Sequence, residues 1–158
     1  MFRELTRRKQ QLPAAACIDV LKNEKRGVLS VLGDDGYPYG MPMNHFYNEA
    51  DGKLYFHCGK HGHRTDALRR YEKASFCVTD GGRQTDGDWA LRFNSVIVFG
   101  TVSFIEDPAV IADLTAKLSR KFTDDEAYIR QEIEKFGPAT VLLCLTPAHI
   151  SGKSVTES

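Results

Sequence analysis

The chain has 158 residues, 42% hydrophobic and 27% charged, with 21 basic and 21 acidic side chains and a formal net charge of zero. That size and balance predict one globular domain with one core, spanning 1–158. They exclude a nucleic-acid binder driven by bulk charge, because such domains are strongly basic, and no apolar run approaches the roughly 20 residues needed to cross a bilayer.

The N-terminus, Met1-Phe2-Arg3-Glu4-Leu5-Thr6-Arg7-Arg8-Lys9, lacks a continuous apolar core and a small-residue cleavage site, so it does not read as a secretory signal. The four cysteines, Cys17, Cys58, Cys77 and Cys144, sit far apart in apolar segments and are expected to be reduced, buried thiols. A cytoplasmic protein, with neither nucleic acid nor membrane as partner, is the expectation.

Residues 1–25 read as a basic arm followed by a helix, with Pro13 suited to its first turn and Ala16, Cys17, Val20 and Leu21 on one apolar face. Gly27 to Leu32 is a short strand closed by the turn Gly33-Asp34-Asp35-Gly36. Tyr37 to Tyr47 reads as a second strand, paired to the first as a hairpin. Pro38 and Pro42 interrupt its ladder and direct it towards an edge or a ligand. A turn over 48–52 leads to a third strand, Leu54 to Cys58, so three successive strands are expected as antiparallel neighbours.

A helix near 62–71, a strand at 74–79, a polar loop from Asp80 to Asp88 and a long strand from Ser95 to Ile105 follow. A helical insertion covers 107–136. Its first helix opens on Asp107 as N-cap and Pro108 at the first helical position, and its second runs over about 124–136. Thr140 to Leu145 is the last expected strand. Five or six antiparallel strands with short turns and peripheral helices predict a mainly β fold, a small closed barrel, with a sandwich as the alternative.

The richest chemistry lies where the third strand meets the following helix. The segment Leu54-Tyr55-Phe56-His57-Cys58-Gly59-Lys60-His61-Gly62-His63-Arg64 passes from alternating apolar residues through two glycines into a basic cluster. Free backbone N–H groups at a helix start, beside Lys60, His63 and Arg64, suit an anion such as phosphate. A solvated basic turn that merely caps the helix is the competing account. His45, His57, His61 and His63 crowd near Cys58, but their spacing is that of neither a zinc finger nor a zincin helix. No metal is expected. A nucleophile pair of Cys58 with His57 or His45 is disfavoured, because no third orienting group is positioned and adjacent strand residues point to opposite faces. Trp89, the only tryptophan, follows a Gly-rich acidic loop and could line a ring or join a core.

The order of these motifs carries a resemblance. A Gly-Val-Leu-Ser strand is followed by Asp-Asp-Gly-Tyr-Pro, Pro42-Met43-Asn44, Leu54-Tyr55-Phe56-His57, Gly62-His63-Arg64, Ala67-Leu68-Arg69-Arg70 and Ser95-Val96-Ile97-Val98-Phe99-Gly100. The chain resembles the pyridoxamine 5′-phosphate oxidase-like flavoproteins, especially the branch of 5-nitroimidazole resistance (Nim) proteins. The resemblance implies an FMN-binding split barrel with Greek-key antiparallel strands, working as a homodimer with FMN between subunits. It implies that Gly62, His63 and Arg64, with Lys60 nearby, hold the FMN phosphate. Pro42, Met43 and Asn44 would lie along the isoalloxazine edge, Ser95 would contribute from the Ser-Val-Ile strand, and His57 would be an active-site residue beside the flavin. Nim-like sequences often carry Gly-Arg-Lys where this chain has Gly62-His63-Arg64, so one permanent charge is replaced by a titratable one.

The function so implied is an FMN-dependent oxidoreductase acting on a small aromatic or nitro compound, with NADH or NADPH as electron donor. The C-terminal stretch Ala148 to Ser158 lacks an Arg/His-rich signature for a substrate phosphate, which argues against pyridoxamine phosphate as substrate. A non-catalytic flavin- or haem-binding protein, for storage, sensing or protection, is the alternative.

Overall fold

The computed structural model describes residues 1–157. Helix α1 (Ala14–Asn23) buries Cys17, Val20 and Leu21. The strands are β1 (Arg26–Leu32), β2 (Pro38–Asn44), β3 (Phe46–Asn48), β4 (Lys53–Gly59), β5 (Lys73–Thr79), β6 (Leu91–Ile105) and β7 (Thr140–Glu157). Helix α2 (His63–Arg70) follows β4, and α3 (Pro108–Ser119) and α4 (Glu126–Phe136) lie between β6 and β7. No helix among the described residues is long and apolar enough to cross a membrane.

All strands join one antiparallel sheet in the order β2-β1-β5-β6-β7-β4-β3. The order itself forces curvature. A flat sheet would hold β2 and β3 six inter-strand steps apart, about 29 Å at the usual spacing. Yet only His45 separates the end of β2 from the start of β3, and two peptide units reach at most about 7 Å. The sheet therefore curls until its edges meet, which makes the fold a mainly β split barrel with helices at its periphery.

Alternation supplies the interior. Leu29 and Val31, Met41 and Met43, and Leu54, Phe56 and Cys58 point inward from three strands, and Phe76, Val98 and Leu143 from three more. Phe76 stands edge-on to Phe56, with centroids 4.9 Å apart. Outside the barrel a second cluster forms, in which Ile111 and Leu114 of α3 cover Tyr55, Leu142 and Cys144. This explains the unbroken apolar run Val141 to Leu145: β7 is buried on both faces there, so alternation disappears. The Asp107 carboxylate accepts from the N–H groups of Ala109 and Val110 at 2.8 and 3.1 Å, which fixes the start of α3.

Three expectations need correction. The second strand is broken at His45: its first part pairs with β1, and only Phe46–Asn48 pairs with β4. The three first strands are thus not consecutive neighbours, because the chain crosses the barrel seam between them. The long strand begins at Leu91 rather than Ser95, and the last strand continues from Leu145 to Glu157, the two pairing along their whole length apart from a register shift at Phe99/Gly100. The polar Ser/Thr/Lys tail of β7 hid the strand from hydrophobic periodicity. Gly100 answers to this shift, since a Cβ there would collide with the Thr146 carbonyl.

Candidate functional site

β4 delivers His57 and Cys58 to opposite faces. Cys58 points into the core, and burial pushes its thiol up from the usual range. His57 lies on the outer face, its imidazole held below the ordinary histidine value by desolvation and by the Arg64 charge. It is therefore neutral near pH 7. Three residues beyond the strand end, Gly62 adopts φ 126° and ψ 172°, a left-handed region open to glycine. This bend starts α2, and the Thr65 hydroxyl donates to the Gly62 carbonyl at 2.8 Å.

Arg64 sits in the first turn of α2, half-buried. One terminal nitrogen lies 2.8 Å from the Met43 sulfur, while its buried Nε has no hydrogen-bond partner. No carboxylate pairs with it among the described residues. Asn44 approaches from the end of β2, its side-chain oxygen accepting from Arg26 Nε at 2.8 Å, which leaves its amide donors available. Asn44, His57 and Arg64 line one wall of a cavity of about 560 Å³, within the range of small-molecule sites. Leu118 and Phe122 from the α3 side, with Tyr128, Ile129, Ile133 and Phe136 from α4, form the opposite wall.

The remaining expected site residues lie around this core. Met43 points inward beneath Arg64, and Pro42 faces outward beside Val28. Gly62 supplies the bend. His63 turns towards the β1–β2 connection: its ring stacks on Tyr39 at 4.2 Å, and its Nε2 lies 3.4 Å from the Asp34 N–H. Asp34 also pairs with Arg70 at 2.5 Å, which draws its carboxyl below the usual range. Lys60 lines a neighbouring cleft of about 320 Å³ with Glu106 and Pro108. Ser95 stands on β6 between Thr79 and Lys153 and lines neither cavity. The helical wall is what sequence reading missed. Its one signal was the stripe Tyr128, Ile129, Glu132, Ile133 and Phe136, where a carboxylate interrupts an apolar face.

A seven-stranded curled sheet with flanking helices and a charged cavity at its seam defines the class as a split barrel. The sequence profile of the pyridoxamine 5′-phosphate oxidase family matches residues 13–154, and the chain belongs to that family. Solved structures share the fold. A candidate 5-nitroimidazole antibiotic resistance protein from Bacteroides thetaiotaomicron is 19% identical, with TM-score 0.76, over 92% of this chain and 87% of that one. An FAD-binding protein from Mesorhizobium loti is 21% identical with TM-score 0.66, over 92% and 97%. The flavocytochrome Anf3 from Azotobacter vinelandii is 20% identical with TM-score 0.76, over 98% and 73%. Comparison with curated proteins returns no match.

Proposed function

We propose that the chain is an FMN-dependent oxidoreductase for a small aromatic or nitro compound, working as one flavin-binding domain and as a homodimer. Membership of the pyridoxamine 5′-phosphate oxidase family supports a flavin, as do structural relatives that include an FAD-binding protein and a flavocytochrome. The observation that carries the reading is Arg64, a half-buried guanidinium with an unpartnered Nε and no carboxylate partner among the described residues. It stands at the N-terminal turn of α2, where backbone N–H groups also favour an anion. These groups fit the phosphate of FMN, with Gly62 permitting close approach.

In this reading Pro42, Met43 and Asn44 border the isoalloxazine ring, and Asn44 offers it amide donors. Neutral His57 faces the same cavity and can donate or accept one hydrogen bond without adding a charge. When bound, the flavin supplies the hydride and electron transfer, and the protein orients the ring and excludes water. NADH or NADPH is the proposed donor. The dimer is supported by the outer sheet face. Pairing sets Pro42, Val28, Cys77, Ile97 and Ser151 in one row, with Phe99 in the next, and Val28, Ile97 and Phe99 are 43%, 38% and 40% exposed. Asn44, two residues from Pro42 on the same strand face, lines the cavity, so the apolar face and the cavity share an edge, as a flavin shared between subunits would need.

Absorption of the purified protein in the oxidised-flavin bands, followed by FMN titration of Arg64→Ala, tests the reading. The variant should lose roughly 1.5–3 kcal/mol of FMN affinity, the scale of a hydrogen bond to a charged group. Equal affinity in the two proteins removes the phosphate assignment. Anaerobic mixing with NADH or NADPH then separates enzyme from carrier: rapid flavin bleaching supports a reductase, and its absence a storage or sensing role.

A further inference from the structure

The cavity keeps opposite charges on separate walls. Across from Arg64, the α4 stripe that faces the cavity contains Glu132 between Tyr128, Ile129, Ile133 and Phe136. The charged residues Arg130, Glu134 and Lys135 lie outside the lining, although the Lys135 Nζ stands 4.9 Å over the Phe136 ring. A half-buried acid on an apolar stripe is costly unless something pairs with it, yet Glu132 joins no ion pair among the described residues. Nearby on α3, Thr115 lines the same cavity with a buried hydroxyl oxygen that has no hydrogen-bond partner. Phe122, Tyr128 and Phe136 line the same cavity and are 41%, 53% and 49% exposed.

We propose that Glu132 and Thr115 form the recognition subsite for the second ligand of this cavity, a flat aromatic compound bearing a protonated amine or comparable N–H donor. The carboxylate and the hydroxyl take the donor group, and the ring goes against Tyr128 and the faces of Phe122 and Phe136 that Lys25 and Lys135 leave open. A phosphate or carboxylate on this ligand is disfavoured once the cofactor phosphate occupies Arg64, because among the described residues no other Lys or Arg side chain lines the cavity. That this ligand exchanges electrons with a flavin rests on the function proposed above; the subsite itself rests on the cavity alone.

The test is binding of three matched probes to the whole protein at pH 7 by calorimetry: 2-naphthylmethylamine, neutral 2-methylnaphthalene and anionic 2-naphthylacetate. FMN affinity is measured in parallel. The amine should bind about tenfold or more tightly than the neutral probe, and with FMN saturating Arg64 the anion should bind more weakly than either. Glu132→Gln should bring the amine and the neutral probe to within about threefold of each other, with FMN affinity unchanged, and Glu132→Asp should restore part of the preference. Thr115→Val should weaken the amine selectively. A wild-type preference near one, or one that survives Glu132→Gln, overturns the proposal. Failure of FMN to bind while the amine preference holds overturns the flavin reading instead.

Discussion

His45 makes the stability of this protein sensitive to mild acid. It occupies the single position joining β2 to β3, is fully buried, and lies 4.9 Å, edge-on, from Phe76. Its Nε2 is 2.7 Å from the Leu21 carbonyl. A carbonyl can only accept, so Nε2 carries a proton, and a neutral ring leaves Nδ1 unprotonated. Its Nδ1 has no partner. Burial, aided by the Lys121 charge, lowers its pKa from 6.5 to about 4. The sign follows directly: between these values the unfolded chain binds a proton that the folded chain does not. Stability from the neutral ring is complete above about pH 6.5 and falls as pH drops towards 4. The pKa difference corresponds to about 3 kcal/mol, a large share of the 5–15 kcal/mol typical of a domain, and roughly 6–12 °C in Tm. Urea unfolding across pH 4 to 7.5, for wild type and His45→Gln, isolates the effect. Carboxylates with lowered pKa act mainly below this window, so the wild-type slope above pH 5 reports histidine. Gln can still donate to Leu21 and does not titrate. Parallel stability curves for the two proteins would refute the assignment.

Removing the Arg64 charge should raise the His57 pKa towards its ordinary value, because a neighbouring cation disfavours the imidazolium; NMR titration of the ring protons in Arg64→Ala checks this, and an unmoved pKa separates the two side chains. Gly100→Ala should cost about 1–3 kcal/mol by pushing a methyl group into the Thr146 backbone at the register shift, and an unchanged Tm would show that the β6–β7 pairing relaxes there.

Local chemistry announced much of the framework. The Asp107-Pro108 start, the alternation of Leu54, Phe56 and Cys58 and the Gly62 bend each stand where residue type alone puts them. The hairpin of β1 and β2 was legible from its turn. What escaped was long-range. No periodicity marks the point at which a strand leaves one sheet edge for the other, and His45 looks like one more member of a histidine cluster. The β7 tail escaped because its partner β6, rather than apolar alternation, holds it in place. Within the site, Asn44, His57 and Arg64 converge, since they flank the seam and the strand end. Lys60 and His63 are close to Arg64 in sequence but face other surfaces, because the turn from β4 into α2 redirects successive side chains. Glu132 and Thr115 reach the cavity only through the packing of α3 and α4.

The location of the cavity follows from the way the barrel closes. Where the chain passes from β2 to β3 through one buried residue, Asn44 is left at a strand end beside the outward face of β4. The polar groups at this seam are not all used by the sheet, so they remain free for a ligand. Lys121, just past α3, donates to the carbonyls of Glu24 and His45 at 2.5 and 3.0 Å, which ties the helical wall to the same crossing. One wall is therefore set by the closure of the sheet, which cannot change without opening the barrel. The other is a helical insertion between β6 and β7 whose stripe residues can vary while the sheet keeps its register. Under the proposed function, a fold divided in this way holds one anionic cofactor constant and changes the compound presented to it. It also explains why the residue that departs from helical patterning, Glu132, stands on the insertion and not on a strand.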